Sequence, residues 1–104
     1  VSALQTSLST VPSSWQIATT SMTALNNARI FVNQAGITIT LPLNPTLGFT
    51  VTVVDATGNA GAANFTIARN SQRIMSLAED LVINVNGAIA NLVYVDSVRG
   101  WALT

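Results

Sequence analysis

From residue 37 to residue 69 the chain reads ITITLPLNPTLGFTVTVVDATGNAGAANFTIAR, where apolar residues alternate with threonine, stop at Pro or Gly, and resume. A period of two puts successive side chains on opposite faces, so the pattern predicts half-buried β-strands and not helix. Ile37, Ile39 and Leu41 share one face and Thr38 and Thr40 the other. Phe49, Val51 and Val53 oppose Thr50, Thr52 and Val54, and Phe65 and Ile67 continue the apolar face. In LVINVN and IANLVYV both faces turn apolar, as expected of strands covered on both sides. Strands are predicted near 15–20, 29–33, 36–41, 48–55, 64–69, 72–76, 81–86, 89–95 and 99–103.

Turn-forming residues punctuate these runs, among them Asn26-Asn27, Pro42 to Gly48, Gly58-Asn59 and Asn70-Ser71. Asn86-Gly87, between two apolar-rich runs, predicts a two-residue type I′ hairpin turn. The fold expected is all-β: a single-domain β-sandwich or jelly-roll-like unit over 15–104, preceded by an N-terminal arm over 1–14. The arm, VSALQTSLSTVPSS, is rich in Ser and Thr and ends in a Pro-Ser-Ser break. Leu4, Leu8 and Val11 would share a face if it were helical, but so short a helix needs a neighbour to dock on. No repeat of fixed period marks a solenoid.

Composition narrows the function classes. A chain of 104 residues suits one core. Only 8% of the residues are charged, against roughly 25% in an ordinary soluble domain. The apolar excess needs a cover. No run approaches the roughly 18 consecutive apolar residues of a spanning helix, and the aromatic girdles of a membrane barrel cannot be built from a chain that is 6% aromatic. No membrane partner is expected, and other protein is the expected cover. Arg29, Arg69, Arg73 and Arg99 balance Asp55, Glu79, Asp80 and Asp96, so nucleic-acid binding by phosphate neutralisation is not expected either. With no cysteine, the fold must hold by packing alone. The N-terminus shows no basic segment followed by an apolar core, so no secretory signal is expected.

Catalytic equipment is sparse. Without His or Lys, and with four carboxylates, no standard nucleophile–base triad can be assembled; neither an enzyme nor a cofactor is expected. Glu79-Asp80 are adjacent, which on a strand or turn points them apart. Asp55, Thr57 and Asn59 space oxygen donors like a calcium loop, but Thr66 stands where the bidentate Glu should be; a Gly- and Asn-permitted hairpin turn is expected there and no metal. Trp15, Tyr94 and Trp101 could line a sugar-stacking groove, but aromatics near strand ends are more often core or subunit-interface anchors. With Leu4, Leu8 and Val11 they are the candidate interface residues. Arg29 and Arg99 fall near Asp96, and Arg69 follows a strand expected to pair with the one ending in Asp55, which suggests Arg–carboxylate bridges.

Taken in order, WQ, a strand ending RIFVN, TLPLNPTLG with Gly48, TVTVVDATGNA, FTIARN, the AEDL-to-NG stretch and the closing Gly100-Trp101 resemble a β-rich module of tailed-bacteriophage virion proteins, where it recurs in tail fibres and tailspikes. The likeness runs from about Trp15 to Leu103. Where such modules continue from the Arg-Asn turn with Gly, this chain has Ser71-Gln72, and MSL replaces small polar residues at 75–77. The resemblance implies a non-enzymatic homotrimer located on the virion and partnered by the major capsid protein or other virion proteins. The chain's length suggests a capsid decoration (cement) protein. The alternative is a tail-fibre or tailspike module that binds a host-surface receptor such as a glycan.

Overall fold

The computed structural model describes residues 15–104. They form nine strands and, among the described residues, no helix: β1 (Trp15–Ala18), β2 (Met22–Thr23), β3 (Ala28–Val32), β4 (Thr38–Thr40), β5 (Thr50–Asp55), β6 (Phe65–Ala68), β7 (Leu81–Ile83), β8 (Ile89–Asp96) and β9 (Gly100–Leu103). Two mixed sheets result, a larger one in the order β1-β3-β5-β8-β9 and a smaller one in the order β2-β4-β6-β7. This is the two-layer all-β unit that the alternation predicts.

The path between the layers is helical at first. Through β6 the chain changes sheet at every connection, so β1, β3 and β5 stack in parallel in one layer and β2, β4 and β6 in the other. β7, β8 and β9 then add antiparallel. The coils are unequal: Trp15 lies opposite Arg29, but Ala28 lies opposite Val51. That inequality is why no fixed period is visible in the sequence.

Alternation decides what is buried. Ile30, Val32, Val51, Val53 and Leu92 of the larger sheet face Ile39, Leu41, Phe65 and Ile67 of the smaller across one core. Each such side chain contributes about 1.5–3 kcal/mol by leaving water. The threonines at 38, 40, 50 and 52 are half-buried on the opposite faces.

Four local expectations are corrected by the structure. Asn86-Gly87 does not close a hairpin, because β7 pairs with β6 and β8 with β5 in the other sheet. The turn from Val85 to Ala88 is a corner between layers, and of its central pair only Gly87 has positive φ, whereas type I′ needs both. The segment after Asp55 is likewise a crossover, from β5 in one sheet to β6 in the other. Arg69 is therefore not on a strand paired with the one ending in Asp55; β6 lies between β4 and β7. Residues 72–76, expected as a strand, fall instead in a stretch, 69–77, of two tight turns and isolated bridges. In these turns Asn70-Ser71 and Met75-Ser76 all have positive φ, the type I′ geometry, carried without a glycine.

Candidate interaction surface

The outward face of the larger sheet is the most structured exposed surface. Strand register arranges its side chains in rows that cross four strands. One row runs Trp15, Arg29, Thr52, Asn91, and the next runs Ile17, Phe31, Val54, Ile89. The second row is wholly apolar, with Ile17 70% and Ile89 63% exposed and Phe31 and Val54 half-buried. Trp15 stacks on Phe31 with centroids 4.4 Å apart, and the Arg29 guanidinium lies 5.7 Å from the Trp15 ring centroid. An aromatic pair so arranged is rigid and amphipathic, the character of an interface anchor.

Beside this row lies a shallow concavity of about 540 Å³, lined by Asn27, Arg29, Thr50, Thr52, Asn91 and Thr104 among others. The Thr50 hydroxyl donates to Asn27 Oδ1 (2.9 Å) and the Thr52 hydroxyl to Asn91 Oδ1 (3.0 Å). Both carboxamide oxygens are thus engaged, which leaves the floor rich in donors from the amide nitrogens and Arg29. No Asp or Glu side chain of the described residues lines it.

Asp55 is the one buried charged or polar residue among the described ones, 4% exposed, because alternation along β5 places it on the same inward face as Val51 and Val53. Its Oδ1 accepts the Thr57 amide (3.0 Å) and the Thr57 hydroxyl; its Oδ2 accepts the amides of Ala60 (3.1 Å) and Gly87 (3.0 Å). Burial pushes its pKa up, but these hydrogen bonds, the Thr57 hydroxyl first, together hold it below the ordinary value. The carboxylate joins two corners, and Asn86 Oδ1 reinforces the joint by accepting the Gly61 amide (2.8 Å). The oxygens read as a possible calcium set are turned to the chain's own donors: the Asn59 amide donates to the Thr57 hydroxyl oxygen (3.0 Å). Among the described residues no three of His, Cys, Asp and Glu gather as metal ligands would.

The candidate residues separate clearly. Trp15 stands on the outward face. Trp101, fully buried, and Tyr94, 6% exposed, meet edge to face at 5.4 Å inside the core, so both serve the chain's own packing. The Tyr94 hydroxyl donates to Gln72 Oε1 (2.9 Å), while Trp101 Nε1 has no hydrogen-bond partner among the described residues. Leu4, Leu8 and Val11 lie outside the described residues. The arginines make backbone and aromatic contacts: Arg69 donates to the Gln72 carbonyl (3.3 Å) and Arg73 to the Val98 carbonyl (3.4 Å). Asp96 caps its own turn by accepting the amides of Val98 (3.0 Å) and Arg99 (2.6 Å). Ile17, Phe31, Val54 and Ile89 could not be singled out from the sequence, because they become neighbours only through the strand register, parallel from β1 to β5 and antiparallel from β5 to β8.

No protein-family model matches the chain, and no curated protein matches its sequence.

Proposed function

We propose that the protein is a non-enzymatic structural subunit of a bacteriophage particle, a homotrimeric capsid decoration protein that stabilises the shell by added protein–protein contact. The observation that carries this reading is the apolar row Ile17, Phe31, Val54, Ile89, which crosses four strands on an outward face. Leu25, Leu47 and Val98, each at least 66% exposed, add exposed apolar side chains elsewhere. In a chain that is 8% charged, few ionic groups are present to keep such a surface monomeric. The sequence resemblance to phage virion modules supplies the setting. Neighbouring copies and the shell would bury the row, and the added contact area is the mechanism.

Quantitative mass spectrometry of purified particles tests the assignment. A copy number close to that of the major capsid protein is expected. A few per cent of that number overturns decoration in favour of the second reading, a tail-fibre or tailspike module that binds a host-surface glycan. The donor-rich concavity around Asn27, Arg29 and Asn91 favours that alternative. Glycan-array binding that is lost in Asn91→Ala would support it.

A further inference from the structure

Asn86-Gly87 is the one Asn-Gly pair in the chain. In such a pair the missing side chain of glycine lets its backbone nitrogen come close to the asparagine carboxamide carbon. Ring closure forms a bond from Gly87 N to Asn86 Cγ and breaks the bond from Cγ to Nδ2. The Gly87 proton passes to solvent, and the side-chain nitrogen leaves as ammonia. Water then adds to either carbonyl of the succinimide, and the ring opens to aspartate or isoaspartate. Asn86 and Gly87 are both exposed, so water reaches the pair.

The corner nevertheless holds both reacting groups off this path. The Gly87 amide donates to Asp55 Oδ2 (3.0 Å), and Asn86 Oδ1 accepts the Gly61 amide (2.8 Å). In the succinimide the Gly87 nitrogen carries no hydrogen, so a carboxylate that is only 4% exposed would lose one of its donors. Gly61 adds a steric condition. A Cβ at that position would stand 2.9 Å from Asn86 Oδ1, so the carboxamide docks there because residue 61 has none. The Val85–Ala88 turn, with positive φ at Gly87 alone, follows the type II pattern and keeps Asn86 extended.

We propose that Asn86 is a deamidation site that the closed Asp55 corner keeps unreactive and that each opening of the corner exposes. The turn lies between β7 and β8, where the chain crosses from the smaller sheet to the larger. Isoaspartate lengthens the main chain at this crossing by one carbon and adds a carboxylate to a corner already built around that of Asp55. A modified corner recloses poorly, so a transient opening becomes permanent.

Peptide mapping by mass spectrometry tests this by following conversion at Asn86 in the full chain, native and in urea, with Asn70-Ser71 as internal reference. Native conversion should be at least about tenfold slower than in urea, because two hydrogen bonds must break first. Gly61→Ala pushes the carboxamide off its donor and should speed native conversion at Asn86 roughly two- to tenfold, the worth of one hydrogen bond, with Asn70 unchanged. The isolated isoaspartyl form should melt below the unmodified chain. Equal rates in native buffer and urea overturn the proposal. So does an unchanged Asn86 rate in the folded Gly61→Ala chain, or an equal rise at Asn70, which would make global stability the guard. If Gly61→Ala does not fold, Asp55→Asn removes the acceptor of the Gly87 amide and should speed conversion at Asn86 by a similar factor. Slower conversion in Asp55→Asn would make Asp55 a base that promotes ring closure, and would also overturn the proposal.

Discussion

Replacing Asp55 with asparagine removes one charge and almost no volume, so it isolates the hydrogen bonding at the corner. The asparagine oxygen can keep the place of Oδ1 and the two Thr57 donors. Its amide nitrogen then replaces Oδ2 and faces the amides of Ala60 and Gly87, donor against donor. Two buried N–H groups without an acceptor cost about 1–3 kcal/mol each, so a loss of about 3 kcal/mol is expected after local relaxation. For a domain of this size that lowers Tm by about 12–24 °C. Urea unfolding followed by fluorescence is a direct assay, because Trp101 is fully buried in the fold.

The same variant carries a pH signature. The folded Asp55 pKa lies below the ordinary 3.8, so the folded state binds its proton less readily than the unfolded chain. Its contribution is fully present above that value and is lost as pH falls through the lowered folded pKa. Wild type and Asp55→Asn should therefore differ most near neutrality and converge in acid. A stability gap below about 0.5 kcal/mol at pH 7, or one that stays constant on acidification, would refute the reasoning.

Other substitutions probe separate features. Ser71→Gly relieves a left-handed backbone at φ 71° and should raise stability by about 0.5–1 kcal/mol in the same urea assay. Gly100→Ala should destabilise by about 3 kcal/mol or more, because a Cβ there would stand 1.8 Å from the Arg73 carbonyl oxygen at a φ of 71°; an unchanged melting curve would show that residues 73–76 do not lie against β9. Ile89→Asp places a charge in the outward apolar row and should leave Tm within a few degrees while abolishing self-association in light scattering. Wild-type oligomers in that variant would move the interface elsewhere.

Most strand positions, apart from β2 and the turn-forming 72–76, and the inward faces were legible from alternation alone: the Ile37, Ile39, Leu41 face and the Val51, Val53 face are buried as the period of two requires. Connectivity was not. Asn86-Gly87 offers a positive-φ position equally to a hairpin and to a corner between layers, and only the longer-range pairing of β8 with β5 chooses. Asp55 was readable as a turn former, but its burial needs Gly87, thirty-two residues away, as a donor. Asn70-Ser71 was legible as a turn, but the type I′ turn at Met75-Ser76 was read as part of a strand because no glycine marks it. On the surface, Trp15 was legible as a candidate interface aromatic, while its partner Phe31 emerged only with the register of β1 on β3.

The corner held by Asp55 bears on how the chain acquires its structure during synthesis. Ala60, the nearer distant donor, leaves the ribosome soon after Asp55, but Gly87 and the Ala88 carbonyl that accepts the Asp55 amide follow much later. β5 also waits for β8 before both its edges are paired. A nascent chain that ends before residue 87 therefore holds a carboxylate without its full set of donors and a central strand with one open side. Folding is a late event for such a topology, with rates in the millisecond-to-second range of proteins dominated by distant pairings. Until β8 arrives, the exposed edge of β5 is where a nascent chain would be captured by a chaperone or by another chain.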